Sequence, residues 1–484
     1  MTALVVPIQR ARSYFDTARS DSLIRNSLYL MASTVVTAGL GYIFWIVTAH
    51  TFTKPQVGIS SAVISLCSTV SLLTYLGSWA TLIERLHEYE RSRRWTAILV
   101  RMCAATAALT ALVALIAVPV LARSTNYGPF FDAAWAILMA IVGSAAWTLL
   151  NLFSAAFISA RRAESLLSIQ TLVSVIKVML VVPIAATGLG AVGIVVAWVG
   201  SALIGVGAGV VWLLPRLRLG QMSRDATPRR LSAPAASQPR LVSYDTGPII
   251  FHTEALDSYR AGRSASHRVG GRKPRHRQSY RPDASFFRRL IGQHLTSVGG
   301  AATPLILPTL VVLRLGVTQN AYFYITWMVG AIFFMVSPSV SAALFAESVR
   351  LRSDLSAVVV KAFRITSLLL MPVMVIMIAG GKIILGIFGG SYARSGYLLL
   401  VLLAASALPD AVSNIAVAIF RVTNRIKYSA VLNMGILVVT LVGSWFLMPS
   451  LGIAGVGAAW LGAQVLGAVA SFPAYASLGK EKIT

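Results

Sequence analysis

Acidic residues are scarce in this chain: 16 Asp and Glu among 484 residues, against 42 Lys and Arg. Charge of either sign makes up 12% of the residues, where soluble domains carry about 25%. A chain that is 56% hydrophobic, with mean hydropathy +0.75, cannot hide its apolar surface in a soluble core. Cysteine is limited to Cys67 and Cys103, both inside apolar runs, which excludes a disulfide framework or thiolate metal site. His252, His267 and His276 lack ligand spacing, so neither metal nor cofactor is expected. The sequence has no GxxxxGK[ST] loop, which argues against ATP hydrolysis. It also lacks the acidic or histidine clusters with which integral-membrane enzymes work, so no catalytic residue is assigned. What remains is an all-α polytopic membrane protein.

Apolar stretches of about 20 residues predict twelve helical spans. They fall at 27–49, 57–78, 97–121, 132–157, 167–187, 191–214, 290–313, 319–345, 358–380, 395–420, 428–448 and 452–476. The first 26 residues carry Arg10, Arg12, Arg19 and Arg25 without a long apolar core, so the first span is expected to anchor the protein.

The net charge of +26 sorts by loop rather than forming a nucleic-acid footprint, and no nucleic-acid partner is expected. Hairpin turns at 50–55, 187–190 and 448–452 are nearly free of basic residues; Lys54, Arg123, Arg314 and Lys382 are the exceptions on that side. The alternate loops hold Arg91, Arg93, Arg94, Arg161, Arg162, Arg350, Arg352, Arg421, Arg425 and Lys427, and the tail adds Lys480 and Lys482. By the positive-inside rule both termini are expected to be cytoplasmic.

Residues 215–287 break the pattern. They hold Arg229 and Arg230, the low-complexity run SAPAASQP and the basic run GRKPRHR, without apolar periodicity. They read as a disordered cytoplasmic linker, either merely solvated or clasping anionic lipids or a partner enzyme. The implied division is a segment 1–26, a bundle 27–214, the linker, a bundle 288–477 and a tail 478–484.

Residues 188–205 (GLGAVGIVVAWVGSALIG) recur at 450–467 (SLGIAGVGAAWLGAQVLG). At an offset of 262, Leu189, Gly190, Gly193, Ala197, Trp198, Gly200 and Gly205 return as Leu451, Gly452, Gly455, Ala459, Trp460, Gly462 and Gly467. Composition alone would give roughly two such identities. At offset 263, Asn151, Ala155, Phe157 and Arg162 return as Asn414, Ala418, Phe420 and Arg425, and Gln170 is answered by Asn433. Six spans per half make the repeats parallel, as in transporters that bind substrate in a central cavity between their halves.

Charge inside a span marks a functional candidate. Lys177 in VSVIKVMLV can hold a phosphate oxygen as a point charge, or snorkel to an interface. Asp410 in SALPDAVSN follows Pro409, so the pair is either a hinge with a proton or cation acceptor or a structural charge. Arg101 and His294 lie near cytoplasmic span ends, where they snorkel or line a vestibule. Gln170 and Asn433, like Asn26, bind sugar hydroxyls or join helices. Pro304 and Pro308 in TPLILPTL break the seventh span, as gating elements or tolerated kinks.

Several runs resemble polysaccharide and lipid-linked-oligosaccharide flippases of the multidrug/oligosaccharidyl-lipid/polysaccharide (MOP) exporter superfamily. They are KPQVG (54–58), AYFYITWMV (321–329), LFAES (344–348), GGSYARSGYLLLVLLAASALP (389–409), RVTNR (421–425) and LGIAGVGAAWLG (451–462). The resemblance covers both bundles but not the linker. It implies a MATE-like pair of bundles that moves a polyprenyl-pyrophosphate-linked oligosaccharide across the membrane by alternating access, with Lys177 best placed for the pyrophosphate. Many relatives carry an acidic-basic pair in mid-span 7; Leu307 and Pro308 stand there here, which counts against ion coupling at that position. Other readings are a cation-coupled multidrug antiporter, which usually needs a carboxylate in the first spans; a lipid II flippase, whose family typically has fourteen spans; and a scaffold for glycan-assembly enzymes.

Overall fold

The computed structural model describes residues 22–85, 95–132, 134–160, 162–213, 284–335, 337, 338, 340, 355–423 and 425–476. Apolar, Gly- and Ala-rich sequence in lipid leaves the backbone one way to satisfy its own polar groups, and the described residues are helical with no strand. The first bundle contains α1 (Ser22–Thr51), α2 (Lys54–Arg85), α3 (Trp95–Ala122), the short α4 (Gly128–Phe131), α5 (Ala134–Ser159), α6 (Ala163–Ala185) and α7 (Gly190–Ala208). The second contains α8 (Ala284–Ala301), α9 (Thr303–Leu315), α10 (Val317–Gly330), α11 (Leu355–Gly386), α12 (Gly390–Val422), α13 (Ile426–Leu451), α14 (Ile453–Ala470) and the short α15 (Phe472–Ala476).

Among the described residues ten helices are long and apolar enough to cross a bilayer, and the pair α8–α9, bent by 49°, makes an eleventh if it is one span. The span expected at 319–345 is represented by α10, whose 14 residues are too short to cross alone; residues 341–345 lie outside the described residues. The bend falls at Ala302. Pro304 sits in the first turn of α9 and lacks the N–H that Gly300 would accept, so the break lies just before it. Pro308 and Pro409 lie inside unbroken helices, so neither marks a break as expected of Pro308. Residues 284–287, placed in the linker by composition, open α8; residues 214–283 and 477–484 lie outside the described residues.

The two bundles repeat one packing scheme. α1 against α6 is matched by α8 against α13, α2 against α5 by α10 against α12, and α3 against α5 by α11 against α12. The pairs α5–α7 and α6–α7 return as α12–α14 and α13–α14. One glycine of the sequence repeat makes the same contact in both copies. A side chain at Gly205 would strike Val173, and one at Gly467 would strike Ile436, which is Val173's counterpart at offset 263. Gly190 and Gly452 start their helices at φ 55° and 56°, a left-handed backbone that other residues rarely adopt.

Candidate functional site

The bundles meet through α2, which packs against both α9 and α10. The contact is closest in the first turns of α2 and α10, at the end of the molecule that carries the short loops. A side chain at Gly58 would overlap the Val317 carbonyl oxygen, so only glycine lets the backbones approach this closely. Buried Asn320 donates from Nδ2 to the Gly58 carbonyl at 2.7 Å and shares that donor group with Ser61 Oγ at 3.1 Å. Gly58 and Ala321 are counterparts at offset 263 and lie against each other, so the repeat axis passes through this contact. One turn deeper, Tyr42 Oη on α1 donates to the Met328 carbonyl at 3.0 Å, and Trp45 packs on Tyr324 with ring centroids 4.7 Å apart. Asn126, in the loop after α3, donates to the Val312 carbonyl at 2.9 Å. Together these contacts tie the two bundles to each other at the short-loop end.

Lys177 lies fourteen residues into α6, about 21 Å from its linker end. Its Nζ stands 5.0 Å from the centroid of Phe44 on α1, and Phe44 is 1% exposed. It makes no ion pair among the described residues. Asp410 lies twelve residues from the linker end of α12, about 18 Å in. Its Oδ2 accepts from Ser337 Oγ at 2.8 Å and from Asn414 Nδ2 at 2.9 Å. Asn414 Nδ2 also reaches Ser337 Oγ at 3.0 Å, closing a buried polar triangle. Lys177 and Asp410 are thus similar in depth, but each is engaged inside its own bundle and they are not in contact.

Gln170 donates to Ser154 Oγ at 3.2 Å, joining α6 to α5. Asn433 donates to the Thr296 carbonyl at 2.9 Å where α13 crosses α8, a crossing so close that a side chain at Gly299 would strike the Asn433 backbone. Both amides are therefore committed to interhelical bonds. Arg101 is exposed on α3 and His294 half-buried on α8. Among the described residues the structure brings neither of them to Lys177 or Asp410, and no His, Cys, Asp and Glu cluster could hold a metal ion. Leu307 and Pro308 are buried on α9. Sequence reasoning missed Asn320 and Gly58; the signal available was a carboxamide at the fourth residue of α10 and a glycine at the fifth residue of α2.

No curated protein matches this sequence. Residues 23–231 match the family model described as polysaccharide biosynthesis protein. Solved structures match over nearly the whole chain. A MOP superfamily transporter from Pyrococcus furiosus, whose description notes a binding pocket of reverse polarity, aligns at TM-score 0.55 and 13% identity, covering 95% of this chain and 96% of that one. The outward-facing form of a multidrug resistance MATE family transporter aligns at TM-score 0.54 and 15% identity, over 95% and 96%. The inward-facing form of a multidrug resistance MATE family transporter aligns at TM-score 0.53 and 14% identity, over 94% and 96%. The chain has the MOP-transporter fold, and its first bundle carries the polysaccharide biosynthesis pattern.

Proposed function

We propose that this multi-pass membrane protein is a flippase that carries a polyprenyl-pyrophosphate-linked oligosaccharide from the cytoplasmic to the outer leaflet of a bacterial inner membrane. The observation that carries this reading is Lys177: a cation in the middle of α6 that faces an aromatic ring and, among the described residues, no carboxylate, within the bundle that matches the polysaccharide biosynthesis family model. An unpaired cation in an apolar span is costly unless an anion visits it, and a pyrophosphate supplies that charge. The termini and basic loops are taken as cytoplasmic, which makes the contact of α1 and α2 with α10 at the short-loop end an outer gate in its closed state. Substrate enters at the linker end, and release requires the α2–α10 contact to part. Asp410, inside the second bundle, is the candidate proton or cation acceptor that drives the cycle.

A drug antiporter is less well supported, since the apolar windows of α1 and α2, Ala32–Thr51 and Lys54–Trp79, contain no carboxylate. The protein is read as a transporter and not an enzyme, with membrane lipids and the lipid-linked glycan as its partners.

The deciding experiment depletes the protein and identifies, by mass spectrometry, the polyprenyl-linked glycans retained in the inner leaflet. One oligosaccharide species is expected to accumulate. Accumulation of lipid II would identify that substrate instead, and no accumulation would sink the flippase reading.

A further inference from the structure

The ring that faces Lys177 belongs to a chain of contacts that ends in the other bundle. Phe44 meets Trp45 edge-on with centroids 5.2 Å apart and an interplanar angle of 78°. Trp45 in turn packs on Tyr324 of α10 at 4.7 Å. Tyr42, on the same stretch of α1, holds the Met328 carbonyl of α10. Phe44 and Trp45 are nearly sealed from solvent, at 1% and 5% exposed. One short segment of α1 therefore touches the internal cation on one side and the closed gate on the other.

We infer that Phe44 and Trp45 are positioning residues that couple the charge state of the Lys177 site to the short-loop gate: with Lys177 seated on Phe44 the gate is held shut, and an anion that takes Lys177 releases it. This rests on the reading of Lys177 as the pyrophosphate site and adds how that site is regulated. Cation–π attraction is strongest where water is excluded, so Lys177 favours the arrangement in which the Phe44 ring stays beneath it. That arrangement is also the one in which Trp45 reaches Tyr324. An incoming phosphate offers Lys177 a stronger, charge-assisted partner, and the cation cannot serve both. The anion therefore binds more tightly to the state with Phe44 released, which is the differential affinity that shifting a conformational equilibrium requires. Linkage makes the effect reciprocal: holding the gate shut weakens anion binding by the same factor.

The coupling has a ligand-free signature, because removing the cation mimics its capture. In nanodiscs, spin labels on Thr53→Cys and Leu451→Cys, with Cys67 and Cys103 replaced by alanine, report the separation of the bundles at the short-loop end. Lys177→Gln and Phe44→Leu are each expected to shift the closed-to-open ratio about tenfold toward open, the scale of a desolvated cation–π contact. The double variant is expected to go no further than either single one. Lys177→Arg and Phe44→Tyr, which keep charge and ring, are expected to retain the closed distribution, so a general loss of folding is told apart from a lost contact. Unchanged distributions in both single variants, or effects that add in full, overturn the coupling. Export in the same variants tests the underlying site separately. If Lys177→Gln leaves export intact the anion site is wrong, whereas lost export with an unmoved gate removes only the relay.

Discussion

Lys177 and Asp410 show what one charge costs in an apolar helix and how differently two bundles meet that cost. Lys177 rests on the Phe44 ring, while Asp410 is hydrogen-bonded by Ser337 and Asn414. Lys177→Ala removes the cation without opening a large void, since the side chain is half-buried. It is expected to abolish glycan export while the protein remains folded and in the membrane; surface glycan at wild-type levels would remove Lys177 from the site. Asp410→Asn keeps an acceptor for Ser337 and so spares the fold, but cannot release a proton. It is expected to change how transport depends on the proton gradient, and an unchanged gradient dependence would make the triangle structural. Both residues were legible in the sequence because charge inside an apolar run is rare. Their partners were not, since Phe44 lies 133 positions from Lys177 and Ser337 lies 73 from Asp410, and proximity across such separations is set by packing alone. The repeat sharpens the contrast: at offset 263 Asp410 takes the place of Trp147, which packs on Trp198 at 5.1 Å.

Helices carry the next level of control, through glycines that permit contact and a proline that forbids continuity. The apolar runs located nearly every helix, but they could not show how far each extends past the hydrocarbon layer. α2 runs from Lys54 to Arg85 where the run alone suggested 57–78, because polar residues at a helix end are as helical as those within. Pro304 and Pro308 looked equivalent in sequence, yet only Pro304 adjoins the 49° break, since a proline in mid-helix can be absorbed by neighbouring packing. Gly58 is the element-scale lever. Gly58→Ala places a methyl against the Val317 carbonyl, and overpacking of this kind costs about 1–3 kcal/mol. The cost falls only on the closed gate, so the variant is expected to favour the state open at the short-loop end, read as faster modification of an Asn320→Cys reporter by a water-soluble maleimide. Equal or slower labelling would mean that the bundles do not part at this crossing. Gly205→Ala and Gly467→Ala press on the same contact in both bundles, so each is expected to lower the melting temperature without moving the gate.

At the scale of the whole molecule, orientation decides what all the preceding contacts mean, because a gate is an exit only if it faces outward. Two parallel six-helix halves follow from the repeat and reappear in the matched helix pairs, but the sidedness of the bundle rests on loop charge. The short-loop end is not free of cations: Lys54, Arg314, Lys382 and Arg394 are exposed there, and Arg314 and Lys382 stand 5.0 Å from the rings of Trp445 and Tyr397. Aromatic and basic residues at one level are what a membrane interface selects, so these cations fit an outer headgroup layer without reversing the topology. With the buried Cys67 and Cys103 silent, Thr53→Cys and Leu451→Cys are expected to react with a membrane-impermeant maleimide in intact cells. Lys427→Cys, at the opposite end, is expected to react only after permeabilisation. The reverse result would place the closed gate on the cytoplasmic side and turn the proposed direction of transport around. The same strains then separate transporter from scaffold. A flippase needs Lys177 for export and tolerates shortening of the linker between the bundles; a scaffold that recruits glycan-assembly enzymes needs the basic linker and tolerates Lys177→Ala. Export that survives linker deletion and fails with Lys177→Ala is the expected outcome, and the opposite pair of results would assign the function to the linker.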